Sequence, residues 1–299
     1  MANEQSRFER TEVISRLEAL IGQEHISADY VRFRIELLKA QAAVCDRLAG
    51  SRGAGHRPPT EDAPSSPALG ADDVPWDDLL LKELLDRLAA ALRDHDGQSE
   101  DLARLAAASA HEPQVLVGLA GTVAFGPDEA ALAGLAQLAE RLDVAPDALL
   151  FFGRVLAAPF VTEAAGRYEQ RGGKVLKSSG GCPMCGSPPG LARLLREEGQ
   201  EGRRVLCCCL CGWSWAYSRI ECPFCRGQGG LDVLCLDDAD PEAIEACRQC
   251  RGYLKTVDER KLPEGAVVVP LVVTTATLHL DLIAAEKGYV GGPPYGALQ

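Results

Sequence analysis

"RVLCCCLCGW", residues 204–213, sets Cys207, Cys208, Cys209 and Cys211 within five consecutive positions. A tetrahedral metal site takes two cysteines from one local turn, with two residues between them. Only Cys208 and Cys211 meet that spacing, because the partner Cys207 would need falls on Leu210. If 205–209 is a strand running into the turn, Cys207 and Cys209 share the face opposite Cys208 and are neighbours packed beside a site.

The same spacing recurs three more times, as Cys182 and Cys185 in "CPMCGS", Cys222 and Cys225 in "CPFCRG", and Cys247 and Cys250 in "CRQCRG". The gaps between successive pairs are 22, 10 and 21 residues. Gaps of that size suit two knuckles facing one another across a β-hairpin, so the array reads as a duplicated ribbon. Two intervening residues let the chain turn sharply and bring both sulfurs to about 2.3 Å from one ion. Pro183 and Pro223 stiffen that turn, and Gly186 and Gly212 permit backbone angles that aim N–H groups at thiolate sulfur.

Sequential pairing gives Cys182, Cys185, Cys208 and Cys211 as site one, and Cys222, Cys225, Cys247 and Cys250 as site two. An interleaved arrangement would use the same residues; the near-equal gaps favour the sequential one. Four thiolates accept zinc or iron equally well, and zinc is the commoner occupant. A closed four-sulfur site leaves no open coordination position, which argues against hydrolysis at the metal. Each set contributes on the order of 10 kcal/mol of metal-linked folding free energy, comparable with the stability of a whole domain.

Of the twelve cysteines, eleven lie between 182 and 250. The N-terminus has no apolar export segment, so these thiols are expected in a reducing cytoplasm, where clustered cysteines bind metal more often than they form disulfides. A length of 299 residues suggests two or more domains, and a net charge of −12 disfavours nucleic acid and membrane surfaces as partners. The apolar run "GAVVVPLVVTTATLHLDLIAA", rich in β-branched residues and broken by Pro270, His279 and Asp281, reads as sheet and not as a membrane span.

Residues 1–172 carry helical periodicity. "SADYVRFRIELLKAQAAVCDRLAG" opens on Ser27 as N-cap, places Val31, Ile35, Leu38, Ala42, Cys45 and Leu48 on one stripe, and ends at Gly50. Residues 51–73, rich in Pro, Gly, Ser and Ala, read as a flexible loop. A last long helix is expected from Pro146, interrupted or kinked near Pro159. The expected architecture is α+β and multidomain: an all-α N-terminal domain over 1–172, then two tandem rubredoxin-like or zinc-ribbon modules over 173–219 and 220–299, the second with a C-terminal extension.

Weaker signals surround the cysteines. Residues 171–227 carry nine Lys or Arg against four Glu, a local excess of +5 that suits an acidic partner or a solvated surface. Trp213 and Trp215 alternate after a knuckle, so one is expected over the site and the other free for a partner. Cys235, on an apolar strand pattern, reads as core. No Gly-rich phosphate loop and no nucleophile–base motif is present, so catalytic residues are expected to be none.

The runs "CPMCGSPP", "RRVLCCCLCGWSWAYSRIECPFC", "EACRQCRGYLKTVD" and "LHLDLIAAEKGYV" resemble the formate dehydrogenase accessory (formation) protein family, FdhE. In that family four CxxC motifs precede a "CxxYLK"-like and an "LDxxAxxxGY"-like segment, which puts Tyr253, Lys255, Asp281, Gly288 and Tyr289 on matched positions. The family has one cysteine pair where this chain has the triplet, and it maps onto Cys208 and Cys211. The resemblance implies a cytoplasmic, rubredoxin-like iron protein that binds the catalytic subunit of respiratory formate dehydrogenase during maturation, and not an enzyme. An electron carrier is the alternative class; a zinc-ribbon nucleic-acid binder is disfavoured by the acidity.

Overall fold

A computed structural model describes residues 10–50, 67–93, 98–125, 129–173, 175, 180–197, 199 and 202–291. The chain forms two compact units, one comprising residues 32–175 with 184–186, the other comprising the described parts of 1–31, 176–183 and 187–296.

The helical region runs α1 (Arg10–Glu18), α2 (Ala28–Gly50), α3 (Asp78–Ala91), α4 (Gln98–His111), α5 (Gln114–Ala124), α6 (Glu129–Leu142) and α7 (Pro146–Gln170). The Ser27 hydroxyl accepts from the Tyr30 N–H at 3.4 Å at the start of α2, the expected N-cap. The buried stripe of α2 is Val31, Ile35, Leu37, Ala40, Val44 and Leu48, shifted by one or two positions mid-helix from the expected set, so Cys45 lies at its half-buried margin. Its thiol points at the Pro159 carbonyl, 3.9 Å away. α3 starts on Asp77, whose carboxylate accepts from the Leu80 N–H at 2.9 Å, and buries Leu80, Leu81, Leu84, Leu85 and Leu88.

α7 starts with Pro146 in the first turn and runs as one helix through Pro159, so of the two outcomes expected there the interruption does not occur. Phe152, Leu156, Phe160 and Val161 on it have no exposed surface. It is long and apolar enough to cross a membrane, yet two thirds of its most apolar window is buried inside the protein, as in the core helix of a globular domain (67%). Of the segment 51–73 expected as loop, 51–66 lie outside the described residues, while Leu69 is buried and Ala71–Asp73 form a turn of 3-10 helix.

The cysteine-bearing half builds one sheet from both ribbons. The first supplies β1 (Pro189–Leu194), β2 (Arg204–Cys208) and β3 (Ser214–Ala216); the second supplies β4 (Leu231–Leu234), β5 (Glu242–Cys247) and β6 (Gly252–Asp258). The order is β3-β2-β1-β6-β5-β4, with the short β7 (Val290–Gly291) against β6. Each ribbon is an antiparallel meander, and the two join through parallel pairing of β1 with β6, Ala192 opposite Thr256. The first strand of one repeat thus meets the last strand of the next, a head-to-tail arrangement of two copies of the same unit.

The segment expected as sheet near the C-terminus is instead two helices, α8 (Pro270–Ala276) and α9 (Leu278–Glu286). Pro270 occupies the first turn, where its missing N–H costs nothing. The hydroxyls of Thr274, Thr275 and Thr277 donate back to the carbonyls of Pro270, Leu271 and Val273 at 3.0, 2.7 and 2.7 Å. Burial overrides their strand preference: Val268 and Val273 pack with Leu191, Cys207 and Val257, and Leu280 and Ala284 pack on Ile244 and Ala246.

Candidate metal centres

Three of the four knuckles share one short hydrogen bond. The N–H of the first cysteine donates to the carbonyl five residues on, Cys182 to Ser187 at 2.7 Å, Cys208 to Trp213 at 2.8 Å and Cys222 to Gly227 at 3.0 Å. The chain therefore doubles back on itself, so both sulfurs of a pair face inward. The residue after the second cysteine is left-handed in all four knuckles: Gly186 (φ 80°), Gly212 (φ 70°), Arg226 (φ 61°) and Arg251 (φ 61°). Backbone N–H groups then reach sulfur, from Leu210 and Cys211 to Cys208 Sγ at 3.3 and 3.4 Å and from Gly227 to Cys225 Sγ at 3.4 Å. Such bonds favour thiolate over thiol and support the metal-ligating form.

The fold brings together Cys182, Cys185, Cys208 and Cys211 in one cluster and Cys222, Cys225, Cys247 and Cys250 in another, the sulfurs of each within 4.8 Å of one another. These are the sequential sets; the interleaved sets are not brought together. Four sulfurs tetrahedrally placed 2.3 Å from one ion stand about 3.8 Å apart. The separations Cys182–Cys211, Cys222–Cys250 and Cys225–Cys247 are 3.6, 3.8 and 3.7 Å, so the donor sets fit a single tetrahedral metal each.

The clusters differ in exposure. All four cysteines of the first are buried, whereas Cys225 and Cys250 of the second are half-buried. In the second, burial pushes the Cys222 thiol well up. At Cys247 burial works the same way, but the N–H groups of Cys250 and Gln249 outweigh it and set the thiol at about 7. One cluster thus contains thiols of opposed tendency, which a bound metal ion would resolve by favouring thiolate at all four.

Cys207 and Cys209 join neither cluster. Cys207 is core, packed with Leu191, Val257 and Val268 and accepting from the Ser214 hydroxyl at 3.4 Å. Cys209 is half-buried, its N–H on the Pro188 carbonyl at 3.3 Å. Cys235 is half-buried at the end of an edge strand, its thiol directed at Asp238, and is not the core residue expected from its strand pattern. Trp213 and Trp215 are both buried, so neither is free for a partner as the alternation predicts.

Four of the nine basic residues of the stretch are engaged within the chain. Arg193 pairs with Glu259 at 2.5 Å, Arg203 with Glu197 at 2.6 Å, and Arg196 caps the Arg260 and Leu262 carbonyls at 2.5 and 2.6 Å. Arg204 is fully buried and pairs with Glu245; Lys174 and Lys177 lie outside the described residues. Sequence reasoning counted Arg204 as surface charge and did not single out Glu245. The available signal was the position of Arg204 at the head of a β-run that ends in a CxxC cysteine.

The residues matched to the C-terminal motifs form a second polar group. Tyr253 Oη donates to Asp281 Oδ1 at 2.8 Å, Lys255 Nζ pairs with Asp281 Oδ2 at 2.6 Å and donates to the Thr274 carbonyl at 3.0 Å. Gly288 (φ 71°) turns the chain after α9, and Tyr289 lies under the Arg251 guanidinium at 3.9 Å. These contacts pin α8 and α9 to β6, a positioning role for all five residues.

No family model matches the chain. Curated relatives do. The chain is 42% identical over 111 residues to the protein FdhE homolog of Stutzerimonas stutzeri, 36% of this chain and 35% of that one. It is 35% identical over 170 residues to that of Pseudomonas aeruginosa, 54% and 53% of the two chains, and 34% identical over 111 residues to that of Aquifex aeolicus, 36% and 38%. The matched stretches thus span about a third to a half of these relatives. The crystal structure of the FdhE protein from Pseudomonas aeruginosa superposes with a TM-score of 0.59 over 96% of this chain and 94% of that one, at 24% identity, which shows a shared fold.

Proposed function

We propose that this chain, a member of the FdhE family by its curated relatives and shared fold, is an accessory factor that binds the catalytic subunit of formate dehydrogenase during maturation. The observation that carries this reading is the pair of four-cysteine clusters built into one continuous sheet. Cys182, Cys185, Cys208 and Cys211 would hold one ion, and Cys222, Cys225, Cys247 and Cys250 a second. A tetrathiolate ion has all four positions filled and supplies structural cross-linking, or one-electron exchange if it is iron. The rest is done by the chain: α8 and α9 brace one face of the sheet, and Arg204 ties the two ribbons together. Such a frame suits recognition of another protein better than chemistry on a substrate.

We favour iron for both ions, the occupant that the family resemblance implies, with zinc as the alternative. A pull-down of metal-loaded chain against the formate dehydrogenase catalytic subunit, in air and without oxygen, tests the reading. Capture in at least one condition supports it; failure in all, with both ions bound, refutes it. The electron-carrier reading draws on one feature, the half-exposed Cys225 and Cys250. It requires a reversible one-electron wave, and a colourless zinc form that still supports formate dehydrogenase activity excludes it.

A further inference from the structure

Both knuckles of the first cluster place glycine at the left-handed position, Gly186 and Gly212, and both knuckles of the second place arginine there, Arg226 and Arg251. A left-handed backbone is unfavourable for a residue with a Cβ and free for glycine. Such a residue persists where the surrounding turn holds its backbone, and its side chain is a place to look for a function. For Arg251 the role is visible: its guanidinium bonds the Lys287 and Gly288 carbonyls at 2.5 and 3.3 Å and lies over Tyr289. For Arg226 no contact among the described residues supplies one. Its side chain is exposed and makes no hydrogen bond, ion pair or ring contact among the described residues.

Arg226 directly follows Cys225, one of the two half-buried ligands of the more exposed cluster. On the other side of the same knuckle Ile220 is 66% exposed, and Phe224 within it is half-buried. Ile220 and Arg226 flank one knuckle in sequence, which the Arg226 N–H closes on the Cys222 carbonyl at 2.9 Å; arginine is enriched at interaction hot spots, and its planar guanidinium fork matches a carboxylate. Nucleic-acid phosphate is the poorer fit for a chain of net charge −12.

We infer that the 220–226 knuckle is a docking surface, on which Arg226 takes a carboxylate side chain of a partner protein while Ile220 packs against apolar surface beside it. The inference rests on the client-binding reading above and adds the face that binds. It assigns the two clusters different duties: the buried one holds the frame, and the half-exposed one presents the contact.

The test uses the metal-loaded full chain and the formate dehydrogenase catalytic subunit in a quantitative binding assay. Arg226→Gly relieves the backbone, so it keeps two metals per chain and its thermal midpoint; its affinity is expected to fall at least tenfold and to lose much of its salt dependence. Arg226→Glu falls further, and Ile220→Ser weakens binding with the salt dependence intact. Asp143→Gly, a left-handed position in the helical region, is the control and binds as wild type. Wild-type affinity in Arg226→Gly, with metal retained, overturns this inference and leaves the client-binding reading standing. Absence of binding by the wild type overturns that reading and this one with it.

Discussion

The guanidinium of Arg204, at the head of β2, is fully buried and ion-paired to Glu245 on β5, so the strand that delivers Cys208 is fastened to the strand that delivers Cys247. Its other amino group donates to the Ser218 and Glu221 carbonyls at 2.8 and 3.0 Å, which fixes the approach to Cys222. One side chain therefore touches both ribbons and the link between them.

Breaking that pair leaves a charge buried without its partner. Glu245→Ala is expected to cost about 3–5 kcal/mol in denaturant unfolding, whereas the double change to Arg204→Met and Glu245→Leu costs less because no charge is stranded. A single variant no worse than the double would refute the role. Burial lifts the Glu245 carboxyl above its ordinary value, although Arg204 pulls the other way. The contribution of this carboxyl to stability is therefore full below the ordinary Glu value and declines as pH rises through the raised one.

Cysteine substitutions separate ligands from neighbours. Cys185→Ser or Cys211→Ser should leave one metal per chain and unfold the first ribbon, a loss on the order of 10 kcal/mol of metal-linked folding free energy. Cys207→Ser and Cys209→Ser should retain two. Metal content measured on purified variants decides between these outcomes.

The left-handed positions give a graded set. Gly212→Ala should destabilise by about 1–2 kcal/mol through its backbone alone. Arg226→Gly should be neutral or slightly stabilising, while Arg251→Gly should lose stability because three contacts to the C-terminal turn go with the side chain. Thermal midpoints of the metal-loaded variants report the order.

His279 is half-buried at the start of α9, its Nδ1 without a hydrogen-bond partner among the described residues and its ring edge-on to His25 at 5.1 Å. Burial, then His25 and Lys255, push its pKa below the ordinary value, against the weaker pull of Asp281 and Asp240. A depressed histidine contributes stability above about pH 6.5 that is lost as pH falls through its folded pKa. His279→Gln should flatten that part of the stability profile; an unchanged slope would assign the titration elsewhere.

Much of the metal-binding half was legible because ligand spacing is a covalent constraint: Cys208 and Cys211 could be picked from a run of thiols by counting alone. The helices showed through their leucine stripes, and Ser27 through its side-chain chemistry. What stayed hidden depends on contacts distant in sequence. The pairing of β1 with β6 joins residues more than sixty apart and merges two ribbons into one sheet. β-branched residues in α8 became helical because one face of the sheet needed covering, and Arg204 became core because Glu245 met it there. Trp213 and Trp215 were both buried, which alternation within an isolated ribbon could not show.

The decisive measurement is the affinity of the two-metal chain for the formate dehydrogenase catalytic subunit, compared with that of a chain carrying Cys185→Ser and Cys225→Ser. A saturable complex that disappears when both clusters are broken is the expected result. A two-metal chain that forms no complex, or a metal-free chain that binds as tightly, would contradict it.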